Sequence, residues 1–160
     1  MGGLDSYVNE CPEDCMGQSP APARWHFQLS ETEFQREPLG REFYLSYDYP
    51  LYIGAIQPTA GVSVTNTGDM WFGAGGKWST ERFSDGPVYG ELSLMPGVYM
   101  AADGENLGFP VQFRGALGAG YHFDNGTSLS IFLDHRSNAN TSEYNPGIET
   151  AGIRISYTLD

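Results

Sequence analysis

The sequence predicts an all-β fold, an eight-stranded antiparallel up-and-down transmembrane β-barrel, on the strength of three observations. The 160 residues include 21 glycines, 10 tyrosines and 9 phenylalanines, a composition that favours short strands joined by tight turns. Eight segments alternate apolar and polar residues. The chain has no apolar run long enough for a transmembrane helix, whereas strands can cross a membrane with only every second residue apolar.

The first 23 residues are expected to form an N-terminal tail or cap, because they are rich in proline and turn-forming residues. They lack the basic start and apolar core of a signal peptide. Cys11 and Cys15 are the only cysteines. A local disulfide and two unpaired thiols are both open for this pair, whereas a zinc site would need further cysteine or histidine ligands nearby. The barrel is expected to occupy residues 24–160.

The eight predicted strands are separated by turn-forming sequences such as NTGD, SDGP and DNGT. In chain order the strands are residues 24–34, 41–49, 52–65, 69–78, 87–101, 109–123, 127–137 and 147–159.

The strands carry one apolar face each, which the sixth segment shows best. There the apolar row is Phe109, Val111, Phe113, Leu117, Ala119, Tyr121 and Phe123, opposite Gln112, Arg114, Gly118, Gly120 and His122. A soluble barrel would turn the apolar row inward, and a membrane barrel turns it outward. The polar rows mix charges with glycine, as a narrow polar lumen requires, and the apolar rows end in aromatic residues, as interfacial girdles do. Both features favour the membrane barrel, with a soluble lipocalin-like barrel as the alternative.

The net charge of the chain limits the kinds of partner that it can bind. The formal net charge is -12, with only eight lysines and arginines, which argues against nucleic acid because phosphates are neutralised by basic side chains. A phosphorylated lipid surface is still compatible with this charge, since divalent cations can bridge acidic protein and acidic headgroups.

The stretch HRSNAN places a potential base, His135, two residues from a potential nucleophile, Ser137. Both continue the apolar row of the seventh predicted strand. Glu149 has the apolar parity of the eighth strand, and the short connection between the two strands predicts that they are antiparallel neighbours. The three side chains should therefore meet at one barrel rim, on the outer face. Asp134 points to the opposite face and is poorly placed to orient His135.

This combination suits acyl transfer. Imidazole can take the proton of a serine hydroxyl, and a carboxylate on the other ring nitrogen fixes the tautomer and stabilises the imidazolium. Asn138, Asn145 and nearby backbone amides are candidate donors to an oxyanion or substrate. Glu143, in the loop, is a weaker candidate for the acid. The competing interpretation is that these are ordinary polar surface residues at a membrane rim, with no catalytic role.

Four further polar residues are expected to have structural roles. His26 and His122 have the lumenal parity of their strands, which predicts buried polar contacts. Asp134 and Arg154 lie on the lumenal face of neighbouring strands, and an internal ion pair between them is the simplest expectation.

From Asn106 onwards the sequence resembles the C-terminal half of the lipid A 3-O-deacylase (PagL) family, through the motifs NLG, GAGYHFDNGTSLS, HRSNA and NPGIE. The resemblance implies an eight-stranded outer-membrane barrel that releases the 3-position acyl chain from lipid A with a Ser-His-Glu triad on its lipid-facing wall. By motif position the triad falls on His135, Ser137 and Glu149, and two family asparagines fall on Asn138 and Asn145.

The resemblance also implies the setting of the reaction. It indicates a serine esterase of the Gram-negative outer membrane that acts on lipid A or lipopolysaccharide among outer-membrane lipids, with no metal and no cofactor. A homodimer stays open. The rival hypothesis is a non-catalytic outer-membrane barrel with a structural or lipid-binding role, and a third is an esterase for glycerophospholipids. One departure concerns the motif itself, because Asn140 stands where the family pattern leads us to expect glycine.

Overall fold

The computed structural model describes residues 16–159. It contains ten strands and one 3-10 turn. Cys11 and Cys15, and with them most of the predicted N-terminal tail, lie outside the described residues. The elements are β1 (Gln18–Pro20), β2 (Arg24–Phe34), β3 (Glu37–Asp48), β4 (Leu51–Ile53), β5 (Ile56–Thr65), β6 (Met70–Ser79), a 3-10 turn (Thr80–Arg82), β7 (Val88–Met100), β8 (Val111–His122), β9 (Thr127–Ser137) and β10 (Ile148–Thr158).

Eight of these strands close into a barrel, with each long strand paired antiparallel to its neighbours in the chain. The order around the barrel is β2, β3, β5, β6, β7, β8, β9 and β10, and β10 pairs with β2 to complete the ring. The predicted fold class is thereby confirmed. The strands β1 and β4 are additional: they pair with each other, and β4 also pairs with β5, so residues 18–20 extend the sheet at one end of the barrel.

Two predicted strands differ most from those observed, each next to left-handed backbone, and the other boundaries agree within two residues. The segment predicted as one strand over 52–65 is divided into β4 and β5 by Gly54, at φ 62. The first hairpin turns at Gln35 and Arg36, at φ 50 and 68, so β3 begins at Glu37, earlier than the predicted residue 41. In a two-residue hairpin, a type I′ turn has positive φ at both central positions and favours Asn-Gly or Asp-Gly there. Gln-Arg carries neither signal.

The barrel has a polar lumen and an apolar outer wall, as the membrane alternative requires. Along β10, for example, Arg154 and Ser156 are buried, while Ile153, Ile155 and Tyr157 are each more than half exposed. This arrangement, repeated around the ring, excludes the lipocalin-like alternative, in which apolar side chains would fill the interior. Within residues 16–159, no helix is long and apolar enough to cross a membrane.

Buried ion pairs neutralise most of the charge in the lumen. Asp134 pairs with Arg114 at 2.5 Å and Arg154 pairs with Glu91 at 2.8 Å, so the expected Asp134–Arg154 ion pair is wrong. The Gln28 side chain lies between them: its amide nitrogen donates to Asp134 at 2.9 Å and its oxygen accepts from Arg154. Parity fixed the correct face for both residues, but the narrow lumen allows pairing across the barrel as well as between neighbouring strands.

His26 and Asp48 belong to a second buried group. The His26 ring is hydrogen-bonded to Asp48 at 2.7 Å and to Ser156 at 2.6 Å, and Lys77 also pairs with Asp48. The predicted structural role of His26 is thus confirmed.

Aromatic rings fill the rest of the lumen where glycines make room for them. The Trp71 ring is fully buried and packs over Gly73 and Gly97, where an added Cβ would approach the ring to 2.6 Å. Tyr44 occupies the corresponding space over Gly61. The lumen is therefore a packed polar and aromatic core that supports the wall from inside.

The two ends of the barrel differ in their connections. One end carries the 3-10 turn, where Glu81 is bonded to Arg24 at 2.5 Å and to His122 at 2.9 Å; the contact to His122 is the polar one predicted for it. Burial alone would raise the pKa of Glu81, but the hydrogen bond from His122 and the charge of Arg24 outweigh it and lower the pKa to about 2. The other end carries the long loops 101–110 and 138–147.

Candidate functional site

The predicted site residues lie on the last strands of the barrel, at the end that carries the long loops. His135 is opposite Glu149 in the register between β9 and β10, and opposite Gly115 in the register between β8 and β9. Ser137, the last residue of β9, is opposite Phe113. Alternation along β9 turns His135 and Ser137 outward, away from the polar lumen.

His135 and Glu149 are joined by a hydrogen bond between the imidazole Nδ1 and the carboxylate Oε1, 2.5 Å apart. Both side chains are accessible from outside, with 52% and 65% of their surface exposed. A carboxylate at Nδ1 leaves Nε2 to exchange a proton with a second partner. Glu143, the weaker candidate acid, lies exposed in the loop 138–147, and the carboxylate bonded to His135 is that of Glu149.

The orientation of the His135 ring is set by Gly147 as well as by Glu149. A Cβ atom on Gly147 would lie 2.9 Å from the ring Cε1 and 3.6 Å from Nε2. Gly147 precedes Ile148, which is opposite Arg136, so it lies at the level of Ser137 across the two strands. The edge of the ring that carries Nε2 therefore faces the rim, on the side of His135 where Ser137 lies.

Ser137 is half-buried, one outward position nearer the rim than His135. Within residues 16–159 its hydroxyl makes no hydrogen bond to His135. The structure thus brings His135 and Glu149 into contact and leaves Ser137 adjacent. A missing hydrogen bond between nucleophile and base is common in substrate-free acyl-transfer sites, where this bond forms only when substrate is bound.

Asn138 and Asn145 organise the loop that follows Ser137. Asn138 is fully buried, and its side-chain amide donates to the backbone carbonyls of Leu107 at 3.3 Å and Tyr144 at 2.8 Å. Asn145 accepts from the Asn138 backbone amide at 2.9 Å and donates to the Asn140 side chain at 3.0 Å. Their predicted role toward an oxyanion stays a prediction, and the contacts show that both amides hold the loop backbone.

Asn140 has left-handed backbone, at φ 61, and so does Ala139 before it, at φ 53. Glycine is the usual residue at such a position, and asparagine is the side chain that best tolerates it. The departure from the expected glycine is therefore conservative for the backbone. The Asn140 side chain adds a contact to Asn145 that glycine could not make.

The neighbouring loop 101–110 supports the loop 138–147. Its Leu107 is buried and accepts the bond from Asn138. Asp69, in the turn before β6, holds the same loop by accepting from the backbone amides of Ala102 at 2.6 Å and Gly104 at 3.1 Å. Burial alone would raise the pKa of Asp69, but these hydrogen bonds outweigh it and lower the pKa below its usual value. The carboxylate form is the one that supports the rim.

Three residues that position the site were absent from the sequence-based set, namely Gly147, Leu107 and Asp69. Gly147 follows proline in the motif NPGIE, and that turn signal could have pointed to its positive φ of 67. Leu107 lies in the motif NLG, but neither that motif nor the sequence around Asp69 reveals their roles, because these depend on contacts between separate loops. Among residues 16–159, no group of three or more histidine, cysteine, aspartate or glutamate side chains is arranged to hold a metal ion.

Comparisons with known proteins agree with this architecture. A structure described as that of the outer membrane enzyme PagL superposes with a TM-score of 0.64 at 18% identity, covering 85% of this chain and 99% of that one. A structure of Neisserial surface protein A gives a TM-score of 0.60 at 11% identity, covering 89% and 99%. A de novo designed transmembrane β-barrel gives 0.61 at 13% identity, covering 90% and 100%.

These structural likenesses show the fold alone. A search of curated proteins gave no match. The family model for lipid A 3-O-deacylase (PagL) matches residues 23–158, which include all eight barrel strands and every candidate site residue. The chain therefore belongs to the lipid A 3-O-deacylase (PagL) family.

Proposed function

We propose that this protein is a serine esterase of the Gram-negative outer membrane that removes the 3-O-linked acyl chain of lipid A. The observation that carries the proposal is the His135–Glu149 hydrogen bond on the outer wall, with the Nε2 edge of the ring directed toward the rim level of Ser137. Membership of a deacylase family supplies the substrate class.

In the proposed reaction, the Ser137 hydroxyl attacks the carbonyl carbon of the 3-O ester while His135 Nε2 takes its proton. The new carbon–oxygen bond forms a tetrahedral intermediate, which collapses as the bond to the sugar oxygen breaks and His135 returns the proton to that oxygen. Water then attacks the acyl carbon while His135 Nε2 takes its proton. The bond to Ser137 Oγ breaks, His135 returns the proton to Oγ, and a free fatty acid leaves. Glu149 keeps the imidazole in the required tautomer and stabilises its charged form.

The oxyanion of the intermediate needs hydrogen-bond donors fixed in advance. The side-chain donors of Asn138 are bonded to backbone carbonyls. We therefore assign Asn138 and Asn145 an indirect part, in which they hold the loop 138–147 so that its backbone amides can serve as donors. The left-handed Ala139 and Asn140 immediately after Ser137 and Asn138 are the residues whose amides this loop shape positions.

The location of the triad fits a substrate that arrives within the membrane plane. The outer wall is apolar and the lumen is filled, so a lipid can reach His135 only from outside the barrel. Outer-membrane barrels carry their longer loops on the extracellular side, and the site lies at the end with loops 101–110 and 138–147. Lipid A of the outer leaflet would then enter laterally.

Mass spectrometry of lipid A tests the proposal, after expression in a Gram-negative host without such an activity. Wild type should remove one 3-hydroxyacyl group, and Ser137→Ala should leave lipid A intact. Ser84→Ala is the matched control, because Ser84 is exposed at the opposite end of the barrel; it should behave as wild type. Insertion of each variant is checked by the heat-dependent gel mobility of folded barrels.

Two outcomes would replace the proposal. Intact lipid A with correctly inserted wild type would indicate a non-catalytic barrel. Loss of acyl chains from glycerophospholipids, abolished by Ser137→Ala while lipid A stays intact, would keep the triad and change the substrate.

A further inference from the structure

The eight basic residues of the chain all lie within residues 16–159, and most of them are buried. Each buried one is paired with a carboxylate; they are Arg24, Lys77, Arg114, Arg136 and Arg154. Arg82 is half-buried against the Tyr52 ring, at the end that carries the 3-10 turn. The two that remain, Arg36 and Arg41, are exposed, and both belong to the β2–β3 hairpin at the end that carries the candidate site.

Arg41 lies on the same outer wall as His135, one outward row farther from the rim. Its register partner is Glu31 on β2, which is in turn opposite Ala151 on β10. Leu133, the next outward residue of β9 below His135, completes this row. Three strand spacings therefore separate Arg41 from β9, about 14 Å along the wall at about 4.8 Å each.

The Arg41 side chain is a cation without an anion partner on a wall that faces lipid. The Asn66 backbone amide, in the turn between β5 and β6, donates to the Arg41 carbonyl at 3.0 Å, so Arg41 lies near the rim, where headgroups replace acyl chains. No carboxylate of residues 16–159 lies within 4.0 Å of its guanidinium. A charged side chain among acyl chains is costly, whereas headgroup phosphates stabilise it. Guanidinium binds a phosphate well because it can donate two parallel hydrogen bonds.

Exposed carboxylates limit where a phosphate can bind on this wall. Glu149, Glu33 and Glu31 occupy the stretch between His135 and Arg41, and they repel a phosphate held beside the base. The outer wall becomes positive only beyond them, at Arg41. A phosphate close to the reacting ester would lie over the carboxylates, whereas a phosphate at the far end of the headgroup would reach the arginine.

We propose that Arg41 binds the phosphate monoester on the lipid A sugar that does not carry the scissile ester, and so makes this distal phosphate part of substrate recognition. The inference rests on the proposed function. With the ester at Ser137 and His135, the disaccharide extends along the rim across β10 and β2, and its distal phosphate meets the Arg41 guanidinium on β3. The phosphate of the sugar that carries the ester, the proximal phosphate, does not reach this residue.

Binding of lipid A to the purified Ser137→Ala barrel tests the inference without turnover. Bisphosphorylated lipid A is compared with forms that lack the distal or the proximal phosphate, in uncharged detergent micelles with EDTA, so that divalent cations cannot bridge phosphates to carboxylates. The bisphosphorylated form should bind about tenfold more tightly than the form without the distal phosphate, since an exposed charge-assisted hydrogen bond contributes about that much. Adding Arg41→Gln should abolish this difference, and loss of the proximal phosphate should affect both barrels equally.

Arg36→Gln is the matched control, because it removes the same charge from the same hairpin about 15 Å farther along the strand direction, beyond the screening length at physiological salt. It should keep the tenfold difference. A difference that persists in Arg41→Gln, an equal loss in Arg36→Gln, or no difference in the parent barrel would overturn the assignment. Phosphatidylglycerol should bind with and without Arg41→Gln equally; weaker binding to Arg41→Gln would make Arg41 a general phospholipid contact and also overturn it.

Fatty-acid release by the barrel with Ser137 intact separates this inference from the proposed function. Binding that depends on Arg41 without any release would refute the proposed function alone. Release from lipid A together with binding that does not depend on Arg41 would refute only the phosphate site.

Discussion

Replacing Gly147 by alanine should lower the activity, because the added Cβ would displace the His135 ring. The new Cβ would lie 2.9 Å from the ring Cε1, whereas ordinary contacts begin at about 3.4 Å, so the ring must move by about 0.5 Å. A misplacement of about 1 Å in a catalytic group can cost a hundredfold in rate, so half of that shift should cost about tenfold in kcat. The left-handed φ of 67 adds backbone strain of about 1 kcal/mol to the folded state.

Gly126→Ala separates these two effects. Gly126 also has a left-handed φ, of 80, but its Cβ would meet only the Thr158 carbonyl, at 3.9 Å, at the opposite end of the barrel. Both variants should lose similar stability in urea unfolding from micelles, and only Gly147→Ala should lose activity on purified lipopolysaccharide, measured by mass spectrometry of the released fatty acid. Full activity of a folded Gly147→Ala, or an equal loss in Gly126→Ala, would refute the idea that this contact holds the ring.

Three further predictions concern charged groups. Glu149→Gln should keep the fold but reduce kcat by about a hundredfold or more, because a neutral amide neither fixes the tautomer of His135 nor stabilises its charged form; fatty-acid release measures it. The lowered pKa of Glu81 stabilises the barrel above its ordinary value of 4.5, by roughly 3 kcal/mol, and that gain is lost as the pH falls toward about 2. The urea midpoint of wild type should fall more steeply over this window than that of Glu81→Gln, in which Asp69 and other carboxylates still titrate. Arg136→Met should destabilise the barrel by about 3–5 kcal/mol, since it leaves buried Glu42 without its partner at 2.9 Å, and adding Glu42→Gln should restore much of the loss.

The period of the strands made the fold and the outer position of the site predictable. Alternation is a local property, so the sequence alone placed His135 and Glu149 on one face, and the short connection placed their strands side by side. The bond between them followed from register. Long-range contacts carried no such signal: the sequence paired Asp134 with Arg154, and the structure pairs Asp134 with Arg114 and Arg154 with Glu91.

The loop after Ser137 shows the same limit. The sequence offers Asn138 and Asn145 as candidate donors to an oxyanion or substrate, from their place near Ser137 and in the family motif, and it does not show how the loop turns them. Whether an amide faces outward or inward in a loop depends on which carbonyls the neighbouring loop presents, and here Leu107 presents one. Asn140 departs from the family pattern, and its left-handed φ explains why asparagine can replace the expected glycine there.

Each barrel strand carries side chains of both the polar lumen and the outer wall, so contacts in the lumen also hold the outer site. Successive residues of β9 point to opposite faces, so the neighbours of His135 are both lumenal. Asp134 is bound to Arg114, and Arg136 is bound to Glu42, which fixes the backbone immediately before and after His135, the proposed base. On the lipid-facing wall the His135 ring is held by Glu149 and Gly147, and the fluid acyl chains around it add no further support. The buried ion pairs therefore provide from inside the barrel the rigidity that an enzyme in water obtains by surrounding its active site with protein.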